Sequence, residues 1–362
     1  MINHLDRRAD LDIARAIASF LVVMHHLLRH FNRLHLDHFD AGLRDVVQGS
    51  LLYFHMPTFM LVAGCVLAMG WREVRTWDDY WRFERKKLDR LILPFISVSL
   101  LTLAVKAAGG GLEAGCARAA LANTIYAPRG GPAPHLWFLY VLMGFFLLWP
   151  LLRRLVPDRW FPLLWLGMLV FAVLDLPWPA LDSWKRILGM NDLCWYLPIF
   201  TLGFLYQQRW REQLRPRPVL VFMALVLCIG CLTVDLRLPW PKDDFWWVTL
   251  HRAVWMIGRS CGGLLVLWLC SVIARSARRP RKLLVTAGLR SYDCYLLHFA
   301  LLCTPLLSLI GELEPGVVMT YVWFVVALIV TWVGSMLIGD LIRRWPPLGV
   351  VLLGIPLPRP KA

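Results

Sequence analysis

Residues 8–31 read RADLDIARAIASFLVVMHHLLRHF. From Ile13 to Leu28 the stretch is apolar enough to form a membrane-spanning helix, yet Arg15, His25 and His26 stand inside it. An ionisable group such as Arg at membrane depth costs about 2.5 kcal/mol at the least, so such residues face a bundle interior or a wet cavity. Arg15 and His26 are 11 residues apart, which at about 3.6 residues per turn returns to the same face roughly 16 Å along the axis. Asp12, Ser19 and Arg29 fall near the same stripe. Taken alone, Arg15 also reads as an interfacial side chain that snorkels to the headgroups; its register with His26 speaks against that. His25 points about 100° away from His26 and is either a helix-packing hydrogen bonder or a participant in chemistry.

The rest of the chain fits a membrane frame. Of its 362 residues 58% are hydrophobic and only 17% charged, and uncharged runs recur down to the C-terminus. The fold class is therefore all-α, a polytopic membrane protein. A net charge of +15 invites a nucleic-acid partner, but a polytopic protein carries such charge for orientation, and no nucleic acid is expected. The first apolar run lacks a small-residue cleavage site, so it reads as a retained helix and not a signal peptide. The nine cysteines are scattered. Cys228-Ile-Gly-Cys231 lies in an apolar helix, where two small core residues are the expected reading, and neither a disulfide framework nor a metal site is inferred.

Ten apolar stretches can be marked: 11–30, 47–70, 90–108, 136–152, 160–176, 193–207, 218–236, 253–274, 291–311 and 316–342. About ten transmembrane helices are thus expected in a single membrane domain over residues 1–362, with no soluble domain. The sixth stretch is short, and Pro198 within it predicts a kink or a re-entrant helix. The widest gap, Gly109 to Pro134, is rich in Gly and Pro and reads as loop. Alternate connections are strongly asymmetric in Lys and Arg. The set that includes the N-terminus, 72–90, 153–159, 209–217, 275–290 and the C-terminus holds 27 of the 39. Acidic residues divide nearly evenly, so this is the positive-inside bias, and both termini are expected in the cytoplasm. Arg15 then lies near the cytoplasmic face and His26 toward the outer one.

Further polar islands interrupt the apolar text. Phe54-His55-Met56-Pro57 lies early in the second segment and leads to Gly64. Arg85-Lys86-Lys87-Leu88-Asp89-Arg90 opens the third on the cytoplasmic side, His135-Leu136-Trp137-Phe138-Leu139 opens the fourth on the outer side, and Gly288-Leu-Arg-Ser-Tyr-Asp-Cys-Tyr-Leu-Leu-His298 marks the ninth. In this order and at these spacings they resemble the acyltransferase-3 family of integral membrane O-acyltransferases. The resemblance runs from Leu11 to about Ile342. Its most specific element is Leu11-Asp12 followed by Arg15 and His26, matching the family's LD-x-x-R-x10-H pattern. The FHMP stretch is similar to the branch that includes fucose O-acetylase-like proteins and other sugar O-acetyltransferases. Departures are Lys87-x-x-Arg90 where the family commonly has Arg-x-x-Arg, Ala63 where Ser often precedes Gly64, and no fused hydrolase-like domain.

The resemblance implies transfer of an acyl group, usually acetyl from acetyl-CoA, to a sugar hydroxyl on the outer side, with acyl-CoA as donor substrate and no bound cofactor or metal. It nominates His26, Arg15 and Asp12 for catalysis, His26 acting as general base or as an acyl-accepting nucleophile. Lys86, Lys87, Arg90 and Arg15 suit the CoA phosphates. His25, His55, His135, Trp137, Tyr295 and His298 are expected to touch substrate or to support those that do. His55 and His135 lie near outer helix ends, where water-exposed histidines are ordinary. Arg259, on one face with Arg252 and Trp255, either binds substrate or pairs within the bundle. Partners would be acyl-CoA, a surface or lipid-linked glycan, the bilayer of a bacterial inner membrane and a polysaccharide-assembly machinery. The competing class is a transporter or flippase of lipid-linked sugars or small anions. Against it stand the lack of visible repeats and the shortage of intramembrane carboxylates.

Overall fold

A computed structural model describes residues 8–33, 41–108, 116–174, 189–241, 244–275, 278–313 and 316–356. Every described element is helical. In chain order they are α1 (Ala9–Arg33), α2 (Ala41–Gly70), α3 (Trp77–Ala108), α4 (Cys116–Tyr126), α5 (Trp137–Leu155), α6 (Phe161–Val173) and α7 (Met190–Leu205). They continue with α8 (Pro218–Arg237), α9 (Phe245–Arg275), α10 (Arg278–Leu297), α11 (Thr304–Glu312), α12 (Val317–Arg343) and α13 (Pro346–Leu353). The protein is an all-α, multi-pass membrane protein.

Each of the ten apolar stretches falls on helix, but not every one is a full span. Among the described residues seven helices are long and apolar enough to cross a membrane: α1, α2, α3, α5, α8, α9 and α12. α10 and α11 reach that length and apolarity only together, as a broken span or a re-entrant loop bent by 47° where a π turn, His298–Cys303, joins them. The fifth stretch is shorter than expected, and the sixth is short, as its sequence indicates. α6 has 13 residues and α7 has 16, against about 20 for a hydrocarbon core of roughly 30 Å. Pro198 does not break α7, which passes through it and runs on into a second π turn, Tyr206–Trp210. The gap before residue 134 is not plain loop either, for it carries α4 between its Gly- and Pro-rich ends. Cys228 and Cys231 are free thiols within α8.

α1 is the hub, packed against α2, α9, α10 and α12. Membrane helices gain no hydrophobic advantage over lipid by associating, so close backbone approach at small residues matters more. Gly288 supplies it between α1 and α10: a Cβ there would collide with the Asp12 carbonyl oxygen. Gly64 and Gly203 do the same between α2 and α7, each against the other helix's backbone, at Phe200 and Leu61 respectively. Polar ties then fix the register. Trp332 Nε1 donates to Ser19 Oγ at 3.1 Å, and Arg343 of α12 forks onto the buried Asp293 of α10. At its N-terminal end α1 is held by Arg8, which reaches both Asp10 and Gln207 of the second π turn.

Candidate active site

The polar stripe of α1 meets a second stripe on α10. Gly288, Ser291, Tyr295 and His298 recur at three- and four-residue intervals, so they share the face turned to α1. Between these helices, α2, α3 and α5 lies a cavity of about 410 Å³ lined by Arg15, Lys87, Arg90, Ser291, Tyr292 and Tyr295. Three of the four residues assigned to the CoA phosphates thus border one space; the Lys86 side chain lies outside the described residues. Arg15 Nη1 pairs with Asp12 Oδ1 at 3.2 Å, so the buried Asp12 orients the cation from one turn below. Tyr292 donates to the Arg90 carbonyl at 3.0 Å and offers its ring to the Arg90 guanidinium at 5.9 Å. Lys87 sits over Phe146 at 5.1 Å. One turn before it, Glu84 is buried and neither carboxylate oxygen has a hydrogen-bond partner among the described residues. A larger cavity of about 670 Å³ lies near Arg75, Arg153 and Arg154. Its arginines are partly engaged, Arg75 with Glu73 and Arg153 with Asp158, and the histidines do not line it.

Tyr295 lines the smaller cavity and also touches the rings of His135 and His298. Its hydroxyl donates to the His135 carbonyl oxygen. From there imidazoles run in a row. His135 contacts His298 with ring centres 5.3 Å apart, and His298 contacts His26 at 5.3 Å. His26 lies 5.7 Å from His25, which stacks on His55 at 5.1 Å. Phe299 closes one flank, stacked on His135 at 4.8 Å and edge-on to His26 at 5.6 Å. His30, one turn beyond His26, touches the same ring at 5.2 Å.

The row is asymmetric in its hydrogen bonding. His298 begins the π turn, and its Nδ1 lies 2.9 Å and 3.0 Å from the carbonyl oxygens of Cys294 and Tyr295. A nitrogen facing two carbonyl oxygens carries the proton, which leaves a lone pair on Nε2 in the neutral ring. That Nε2 has no partner among the described residues. His298 is 0% exposed, whereas His26 keeps accessible surface. Of the two, only His26 has accessible surface, and His298 packs against it with an open acceptor. No group of three His, Cys, Asp or Glu among the described residues is arranged to hold a metal ion.

Several expectations need correction. His135 is not a water-exposed helix-end histidine: it is 2% exposed, covered by Tyr295, His298 and Phe299. His55 is likewise buried, its Nδ1 against the Leu51 carbonyl one turn back. Trp137 offers no open face for a sugar. It is buried, and the Arg129 guanidinium covers its ring at 4.2 Å while forking onto Asp192 at 2.6 and 2.7 Å. Burial works against the charge on Arg129, yet the Asp192 fork outweighs it and holds the guanidinium pKa above its ordinary value. Arg259 forms no ion pair among the described residues; it lies flat over Trp255 at 4.2 Å. Residues that sequence reasoning passed over include His30, Phe299 and Glu84. His30 was discoverable, standing four residues beyond His26 on the same stripe.

With this geometry described, the comparisons add one finding. The acyltransferase-3 family model, an acyltransferase domain, matches residues 8–356. Neither a curated protein nor a solved structure matches the chain.

Proposed function

The chain belongs to the acyltransferase-3 family, and from that premise we propose that it is a membrane O-acyltransferase of the sugar-modifying kind. It moves an acyl group, acetyl in our reading, from cytosolic acyl-CoA to a hydroxyl of a sugar in a surface or lipid-linked polysaccharide at a bacterial inner membrane. The observation that carries this reading is that Tyr295 both lines the cationic cavity and bonds the backbone of His135, the first ring of the histidine row. CoA is a polyanion with a thioester at the far end of a long arm. Phosphates held at Arg15, Lys87 and Arg90 leave that arm free to point along α1 toward His26, about 16 Å away.

The reaction then needs a base for a weakly acidic hydroxyl. His26 takes the proton as the hydroxyl oxygen attacks the acyl carbon, the carbon–sulfur bond breaks, and the imidazolium gives that proton to the departing sulfur, so CoA leaves as the thiol and His26 is neutral again. His298, fixed by its Nδ1, orients the His26 ring and offers an acceptor at Nε2. In the covalent variant His26 accepts the acyl group first and passes it to the sugar in a second step. The test is release of free CoA thiol by the purified protein given acetyl-CoA with and without surface glycan, together with mass spectrometry of that glycan from cells with and without the gene. No acceptor-dependent thiol release and an unchanged glycan would overturn the proposal.

A further inference from the structure

A third polar stripe lies on α9, away from the acyl-donor cavity. Trp247, His251, Trp255 and Arg259 recur every four residues, so they share one face over roughly 18 Å. The stripe begins exposed and ends buried: Trp247 is 44% exposed and Arg259 is 4% exposed. Its rings are in register. Trp240 lies parallel to His251 with centres 4.4 Å apart, and His251 meets Trp255 at 4.6 Å. Trp255 in turn carries the Arg259 guanidinium at 4.2 Å.

The acid nearest this run in the hydrogen-bond network is taken up by Tyr53 and by His251 of the stripe, and not by Arg259. Asp235 of α8 accepts from the Tyr53 hydroxyl at 3.2 Å and bonds His251 Nε2 at 2.7 Å. Arg259 has no hydrogen bond or ion pair among the described residues, and its Nε is both buried and unpartnered. Trp240 Nε1 and Trp255 Nε1 are buried and unpartnered as well. All three are donors. A buried cation without a counter-charge is costly in a membrane bundle and marks a functional position by default. Three orphaned donors beside flat aromatic faces match a ligand rich in oxygen acceptors, with ring faces that can stack and one negative charge. The stripe also leads toward the histidine row, since Arg259 lies 5.9 Å from the Tyr53 ring, two residues before His55, and His55 stacks on His25.

We propose that this stripe is the acceptor subsite, that the acceptor is an acidic sugar, and that Arg259 receives its carboxylate or phosphate. The proposal rests on the acyl-transfer reading for the identity of the ligand as acceptor, but not for the existence of an anion site. On that reading the donor cations and Arg259 flank the histidines from two sides, and the hydroxyl to be acylated is carried to His26 by the anchored anion.

The experiment uses the full chain in lipid nanodiscs with three probes: methyl glucoside, methyl glucuronide and glucose 1-phosphate. The melting temperature of the wild type should rise with an anionic probe and not with the neutral one. Whichever anion acts distinguishes carboxylate from phosphate. Arg259→Gln should fold, since it removes an unpaired buried charge, and should lose the anion-dependent rise; Arg259→Lys should keep part of it. With acetyl-CoA present, the KM for the effective anion should increase about 10- to 100-fold in Arg259→Gln, as for loss of a charge-assisted fork, with kcat within about 3-fold. An equal response of the wild type to neutral and anionic sugars, or a full anion-dependent rise in Arg259→Gln, would overturn the subsite. Were Arg259→Gln not to fold, an undiminished rise in Arg259→Lys would overturn it equally. Anion-dependent stabilisation without any thiol release would instead sink the acyl-transfer reading and leave the anion site standing.

Discussion

Replacing His26 by Gln removes the basic nitrogen while nearly conserving volume, so the rings of His298, His25 and Phe299 at 5.3, 5.7 and 5.6 Å keep their packing. Loss of a general base typically lowers turnover by about 10² to 10⁴, or roughly 2.7 to 5.4 kcal/mol in the barrier. The donor cations border a cavity whose nearest α1 residue, Arg15, is about 16 Å away along the helix. The KM for acetyl-CoA should therefore stay within about 3-fold while kcat falls, the pattern of an interaction made only in the transition state. The assay is thiol release from acetyl-CoA at saturating acceptor, normalised to folded protein. His298→Gln should lower kcat by about 10-fold, as expected of a positioning residue that does not touch the hydroxyl, and His25→Gln should be milder still. A radiolabelled acetyl group that stays on the wild type after denaturation, and is absent from His26→Gln, would favour the covalent route. Turnover by well-folded His26→Gln at half the wild-type rate or more would refute the reasoning.

Other outcomes follow from the same geometry. Arg90→Ala should raise the KM for acetyl-CoA by about 10-fold with little change in kcat, and Lys87→Arg should be tolerated, because both contribute charge to the same cavity; a pure kcat loss in Arg90→Ala would show that Arg90 organises chemistry and not phosphate. Gly288→Val should force α1 from α10 at the Asp12 carbonyl, costing about 1–3 kcal/mol of stability and most of the activity, read as melting temperature and thiol release; an unchanged melting temperature would show that the two backbones are not in contact. Labelling of introduced cysteines should place 72–90, 209–217 and 275–290 in the cytosol and 31–45, 109–134 and 237–252 outside. Finding 72–90 outside would remove CoA from its cations and end the proposed mechanism.

How much of this could be read from the chain varies with the range of the signal. The α1 stripe was legible because one helix contains it: Asp12, Arg15 and His26 share a face by period alone. The α10 stripe was legible for the same reason, from Gly288 to His298. What joins the two stripes is a backbone contact at Gly288, and nothing in a glycine's letter says which carbonyl it will meet. His135 was misjudged because a position at a helix start does not reveal what covers it, and its cover comes from α10, some 160 residues on. Arg259 was left between substrate and partner because its actual neighbours are aromatic faces, which local charge patterning does not register. The link from Tyr53 through Asp235 to His251 spans three helices and has no local signature. α4 was masked by the Gly- and Pro-rich flanks that dominate its window.

The arrangement also bears on transport as the competing class. A carrier must open a route for its whole solute, first to one side and then to the other. Here Tyr295, which lines the cationic cavity, is bonded to the His135 backbone, and next to it imidazoles and Phe299 pack ring against ring. Passing a lipid-linked sugar would require displacing that whole row. Passing a two-carbon acyl group requires only that the tip of the pantetheine arm reach beside Tyr295 while the phosphates remain at Arg15, Lys87 and Arg90. At about 410 Å³ the cavity is of ligand-site size. The barrier thus lies where the bases lie. For a transporter that coincidence puts the obstruction in the path of the solute; for an acyltransferase it keeps CoA and cytosolic water on one side while the acyl group alone crosses. Proteoliposomes should accordingly retain internal labelled CoA during glycan acylation on the outer face, and CoA efflux stoichiometric with turnover would count decisively for the carrier.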